Sequence, residues 1–137
     1  MSYDLAKIRK DIDKVENGRW VTLEGDTQLL IAAMMNTSHR KLMFSIGKGQ
    51  GKQSYNADEM AARLMDDDTS LRESLAGHVL KDWKNLKMDG KVIPYSVEKA
   101  KEILVDPAYQ EFYEFVMTEA QNAAMYRKEE ISAAVEK

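Results

Sequence analysis

Leu5, Ile8, Ile12 and Val15 fall three or four positions apart, the spacing of one face of an α-helix, and predict a short amphipathic helix over residues 3–16. Asn17-Gly18 ends it. Two β-favouring runs follow, Arg19-Trp20-Val21-Thr22-Leu23 and Thr27-Gln28-Leu29-Leu30-Ile31-Ala32, on either side of Glu24-Gly25-Asp26, and together they predict a β-hairpin. An isolated hairpin is marginal in water, so this one must lie on the chain's own helices or on a neighbour.

Further along, the pattern turns helical. Thr37 or Ser38 is placed to cap a helix carrying Arg40, Lys41, Leu42, Phe44 and Ile46, with Gly47 as its stop. The stretch from Gly47 to Asn56 is rich in glycine and almost without apolar side chains, which predicts a loop. Asn56 then opens a helix through Met60, Leu64 and Met65, and Asp66-Asp67-Asp68 supplies a break and a new N-terminus. Leu71, Leu75, Val79 and Trp83 lie four apart on one stripe and predict a helix that ends near Trp83. Asp89-Gly90 turns the chain, and Val92-Ile93 is extended before Pro94 because a residue preceding proline avoids the helical region. Ser96 caps a helix with Ala100, Ile103 and Leu104 inward. Asp106 caps the last helix, with Pro107 at its first position, and Tyr109, Phe112, Tyr113, Val116, Ala120, Ala123 and Ala124 give it an apolar side towards Ala134. The expected fold is α+β, mainly α, an N-terminal β-hairpin packed with a C-terminal bundle of helices. One domain over 1–137 is expected, with a helix, hairpin and helix module at 1–46, a flexible glycine-rich loop at 47–56 and a helical module at 57–137.

Composition narrows the function classes. With 137 residues and 44% hydrophobic content, the chain can close a single core without disulfides or metals. Charged residues make up 31% but the net charge is only -3, which argues against a nucleic-acid binder with a basic face. The chain has no cysteine, which removes thiol catalysis and thiolate metal sites and suits a reducing cytoplasm. The first residues alternate Lys, Arg, Asp and Glu with single aliphatics, and no run approaches the roughly 18 apolar residues of a membrane span. A soluble protein without membrane contact is expected.

The motifs that suggest chemistry fail on spacing. Gly47-Lys48-Gly49-Gln50-Gly51-Lys52-Gln53 resembles a phosphate loop, but Ile46 stands where the first glycine belongs and Gln53 where Ser or Thr must follow the lysine. Asp66-Asp67-Asp68 lacks the alternate acids, central glycine and distal glutamate of a calcium loop. His39 reads as a first-turn surface residue and His78 as a core-edge or helix-surface residue, neither with an acid at a useful spacing. No nucleophile elbow is present. No catalytic, cofactor-binding or metal-binding residue is therefore assigned, and the chain is expected not to be an enzyme. Surplus apolar surface is the remaining signal: Phe112, Tyr113, Phe115 and Val116 cover more of a helix circumference than a small core needs. The chain's nine methionines suit surfaces that repack against a partner.

These residues, in this order, resemble the tail assembly chaperones of long-tailed, siphovirus-like bacteriophages. An acidic-basic helix precedes Gly18-Arg19-Trp20-Val21, a turn, a strand ending in Leu30-Ile31-Ala32, and a helix from Asn36 to Phe44. In the second half, a predicted helix ends near Trp83, an Asp-Gly turn precedes Pro94-Tyr95, and Ser96 opens a helix that reaches Asp106-Pro107. The likeness covers most of residues 4–116. It implies a noncatalytic protein of the host cell cytoplasm without cofactor, which binds the tape-measure protein, keeps it soluble and helps recruit tail-tube protein. It also implies self-association into multimers, and a short form beside a frameshift-extended one. A structural tail or tail-completion protein retained in the virion is the alternative. Trp20, Leu30, Phe112, Tyr113 and Val116 are the expected partner-binding residues.

Overall fold

The structure, a computed structural model, describes residues 2–34, 36–48 and 68–128, with side chains at 45–48 left out of the description. The predicted glycine loop from residue 49 onward, the helix capped by Asn56, Asp66-Asp67 and the tail after 128 lie outside these residues.

The N-terminal helix is shorter than its apolar periodicity predicts. Leu5–Ile8 form a 3₁₀ turn, Arg9 returns to extended backbone, and helix α1 spans only Ile12–Asn17. The interruption has a cause in the opposite end of the chain. Asp11 N–H donates to the Tyr126 carbonyl (2.9 Å) and Lys128 N–H to the Arg9 carbonyl (2.7 Å), bonds that a continuous helix would have forbidden. Leu5 and Ile12 consequently stay 72% and 67% exposed. Gly18 closes α1 at φ +100°, and a Cβ there would sit 3.1 Å from both the Ile31 carbonyl carbon and Leu30 Cγ, so strand approach and dihedral both demand glycine.

The hairpin forms as expected. Strands β1 (Arg19–Glu24) and β2 (Thr27–Ile31) pair antiparallel across Gly25-Asp26, with Gly25 at φ +57° in the first loop position, where glycine is favoured. A third strand, however, stands where the sequence predicts helix. Helix α3 (residues 68–75) ends before Gly77 (φ +81°), and β3 (Leu80–Lys84) pairs with β2 to give the sheet order β1-β2-β3. Leu30 faces Asp82 while Ile31 faces Leu80, so Lys81 is an extra residue in a β-bulge. The bulge turns Leu80 and Trp83 to the same buried face, a three-residue spacing that imitates a helix.

Helix α2 (Thr37–Lys48) is capped by Asn36, whose Oδ1 accepts from His39 N–H at 2.9 Å, and not by Thr37 or Ser38; it also passes through Gly47. A small hairpin, β4 (Lys87–Met88) and β5 (Lys91–Val92), turns at Asp89 and Gly90, both at positive φ (52° and 82°). Ser96 caps α4 (Val97–Val105), and Asp106 caps a 3₁₀ turn with Pro107 in its first position that leads into α5 (Gln110–Ala120).

Helix α5 stops at Ala120 and does not run towards Ala134. The carbonyls of Glu119 and Ala120, which a longer helix would pair with Ala123 and Ala124, accept instead from Arg19 Nη2 (3.1 Å) and Met34 N–H (3.0 Å). The chain then enters a 3₁₀ turn, Ala123–Tyr126, that buries Tyr126 and lets its hydroxyl donate to the Ile31 carbonyl (2.9 Å).

The core joins the inner sheet face to the helices: Leu29, Ile31, Leu80 and Trp83 from the strands meet Leu75, Ile103, Leu104 and Val116. Trp83 Nε1 donates to the Ile93 carbonyl (2.8 Å), its ring meets Tyr95 edge-on at 4.9 Å, and the Tyr95 hydroxyl donates to the Leu80 carbonyl (2.7 Å). The fold is α+β, mainly α, with the N-terminal hairpin against C-terminal helices.

Candidate functional site

The alternation of β1 decides which sheet residues reach the surface. Val21 and Leu23 turn inward with Leu29 and Ile31, leaving Trp20 opposite Leu30, and Leu30 opposite Asp82, on the outer face. Trp20 is 38% exposed and the Lys84 ammonium sits 4.1 Å from its ring centroid, so the indole has a cation over one face and solvent along its edge. Leu30 is half-buried against Gly18. Trp20 and Leu30 are therefore one patch, as adjacent strand pairing dictates.

Phe112, Tyr113 and Val116 do not extend that patch, and they do not share a surface. Phe112 lines a groove of about 230 Å³ with Leu86, Met88, Ile93, Ile103 and Tyr109, between the β4–β5 hairpin and the α4–α5 junction, with Lys87 and Asp89 at its rim. Tyr113 is covered by Arg72, whose guanidinium carbon lies 4.0 Å from the ring centroid. That guanidinium is held in turn by Asp68 (2.9 Å), the Leu104 carbonyl (3.2 Å) and Gln110 (2.6 Å). Burial raises the Tyr113 phenol above its ordinary value, and Arg72 acts in the other direction. Val116 is fully buried in the core and offers no surface for a partner. Of the expected partner-binding residues, Trp20 and Leu30 lie on the outer sheet face, Phe112 lines the groove, Tyr113 is half-buried beneath Arg72, and Val116 is fully buried.

A polar junction that sequence spacing did not disclose lies where α2 meets the turn before β3. His39 is buried, contrary to its reading as a surface residue, and its Nε2 is 3.0 Å from Ser74 Oγ. The Ser74 hydroxyl donates its single proton to the Leu71 carbonyl, so it accepts from His39, and Nε2 carries the imidazole proton. His39 Nδ1 is left buried without a hydrogen-bond partner. Next to it, Ser38 Oγ bonds His78 Nδ1, and the fully buried Asn36 amide donates to the carbonyls of Ala33 (2.9 Å) and His78 (2.6 Å). Burial lowers His39 below the ordinary histidine value; the Met34 backbone opposes this and His78 adds to it. Burial also lowers His78, helped by Lys81 and Lys101.

Two serine–histidine pairs invite a catalytic reading, which the hydrogen bonding does not favour. The Ser74 proton is committed to a backbone carbonyl, and the first backbone N–H groups of α2 are already taken, Thr37 N–H by the Glu16 carboxylate (3.1 Å) and His39 N–H by Asn36. Among the described residues there is no group of three or more His, Cys, Asp or Glu placed to hold a metal, and no helix long and apolar enough to cross a membrane.

The family model described as YdaY prophage protein matches residues 34–137, which takes in α2, the junction, the groove and α5. The chain belongs to that family and is phage-derived. No curated protein and no solved structure matches it.

Proposed function

We propose that this member of the YdaY prophage protein family is a noncatalytic tail assembly chaperone, which binds the tape-measure protein in the host cytoplasm, keeps it soluble and helps recruit tail-tube subunits. The groove lined by Phe112 is the observation that carries this reading. It is apolar inside and charged only at Lys87 and Asp89, the arrangement that receives one apolar face of a client helix while its polar face stays in water. Met88 supplies an adaptable wall, and Tyr109 an aromatic lip that is 39% exposed. Trp20 and Leu30 on the outer sheet face are a separate surface, suited to self-association or to the tube subunit. The order of motifs from Gly18 to Phe44 and from Asp89 to Pro107 supports the same reading, although the helix expected to end near Trp83 is strand β3.

Co-expression with the tape-measure protein of the same prophage tests it. The intact chain should move the tape measure into the soluble fraction. Tyr109→Asp and Met88→Lys, at the groove's rim, should lose that effect while keeping the far-UV circular dichroism of the parent. Equal precipitation of the tape measure with and without the chain would overturn the proposal. Recovery of the chain at stoichiometric level from purified virions would replace it with a structural tail role.

A further inference from the structure

We propose that the junction of Asn36, Ser38 and His39 with Ser74 and His78 is an acid-released latch, which fixes helix α2 to the body of the protein near neutral pH and frees it on protonation. Three observations support a latch. Of residues 37–44, His39 alone is buried, so α2 is anchored at its first turn. Among the described residues, the core cluster contains no residue of α2. The side-chain bonds from that turn to the connection between α3 and β3 are directional and converge on one place, His39 to Ser74, Ser38 to His78 and Asn36 to the His78 carbonyl, while the Glu16 carboxylate of α1 holds Thr37.

The proton sensitivity follows from who faces the imidazoles. His39 gives its one N–H to Ser74, and a second proton would go to the buried Nδ1, which makes no hydrogen bond and has only the Met34 backbone to offset the cost of burying the charge. Its charged neighbour would be His78, itself flanked by Lys81 of β3 and Lys101 of α4, and the Glu16 carboxylate of α1 at the start of the helix is engaged by Thr37. Glu73 of α3 lines the same cleft as His78 and Lys101 and is exposed to solvent. The Met34 backbone favours a charged His39 without completing a hydrogen bond to Nδ1. His78 tolerates protonation better, because Ser38 can reverse its role and accept. His39 is therefore the trigger. The folded state holds its proton less tightly than a free imidazole of pKa about 6.5, so the latch contributes stability above that pH and loses it as pH falls through and below it.

The test uses the full chain. In an NMR titration the His39 imidazole should titrate below about 6.5. Amide exchange, corrected for intrinsic rates, should show residues 37–44 losing protection by up to about tenfold for each pH unit below that point, while β2 amides at 28–31 keep theirs. His39→Gln, which retains an N–H for Ser74 without titrating, should flatten most of the pH dependence and leave only the part that His78 contributes through Ser38. A His39 that titrates at or above 6.5, or α2 protection that is equal at about pH 7.5 and pH 5, would overturn the latch. If H39Q does not fold, the titration and exchange of the parent chain decide alone.

Discussion

Leu29, Ile31, Trp83, Leu104 and Val116 hold β2, β3, α4 and α5 together by apolar contact, whereas α2 is held by polar bonds from Asn36, Ser38 and His39 and from Glu16 to Thr37. The two attachments answer to different physics. Apolar burial is non-directional, grows with area and does not depend on pH in itself. A buried polar junction is specific because each donor needs its acceptor, and it is fragile for the same reason: one lost partner leaves another group unpaired out of water. The difference teaches where a small protein can be stiff and where it can move.

The largest expected effect falls on the apolar side. Trp83→Ala removes the ring that meets Tyr95 and the donor to the Ile93 carbonyl, and should cost about 3–5 kcal/mol, a large share of a typical domain's stability of about 5–15 kcal/mol. Urea unfolding followed by circular dichroism should show a lower midpoint and an unchanged slope. A loss below about 1 kcal/mol would mean that β3 does not anchor this core.

Asn36→Ala strikes the polar side. It removes the α2 cap and the donors to Ala33 and His78, and should cost about 2 kcal/mol. The damage should be local, with exchange accelerated at 37–44 before 28–31. Uniform acceleration across both segments would show that the core and α2 unfold as one unit.

The same contrast explains what the sequence disclosed. Gly25-Asp26, Ser96, Asp106-Pro107 and Asp89-Gly90 act on their immediate neighbours, and each places its turn or cap as read. Strand β3 was hidden because Val79 and Trp83 continue the four-residue spacing of Leu71 and Leu75 across the turn at Gly77, and only pairing with β2 reveals it. His39 lies in a polar stretch and looks superficial; its burial comes from Ser74, 35 residues away. That Trp20 and Leu30 share the outer sheet face follows from the strand register, which the apolar runs of the hairpin did not by themselves disclose. The surroundings of Tyr113 and Val116 were hidden too, since counting apolar positions around a helix says nothing of Arg72 stacked on one, or of the core cluster enclosing the other.

Tyr126 joins the two kinds of attachment, a buried aromatic with one hydrogen bond to Ile31 and Arg19 stacked 4.7 Å from its ring centroid. Tyr126→Phe should cost about 1 kcal/mol at neutral pH. Its alkaline behaviour is more telling. Burial pushes the phenol up to about 12, against the pull of Arg19, so the folded state keeps a proton that the unfolded chain loses near 10. The parent should therefore lose stability as pH rises from about 10 through about 12, and the Phe variant should lack that part of the slope. Ultraviolet titration of the tyrosinates and melting temperatures at matched pH check both halves. A Tyr126 that ionises with the exposed tyrosines would place its hydroxyl in solvent.

The smallest effect is expected on the outer sheet face. Trp20→Thr keeps a β-favouring residue, removes an indole that is 38% exposed, and releases the Lys84 ammonium to water, so it should cost less than about 1 kcal/mol. Its use lies in separating stability from association. If this face binds a second copy or a tube subunit, the variant should melt within a few degrees of the parent while its assemblies, measured by analytical ultracentrifugation, dissociate at higher protein concentration. A variant that melts far lower would make Trp20 part of the structural core, and unchanged assemblies would move the contact elsewhere. Because the inner and outer faces of one strand alternate residue by residue, Val21→Thr is the matched control: it should lower the melting point more than Trp20→Thr, since Val21 packs against the buried cluster.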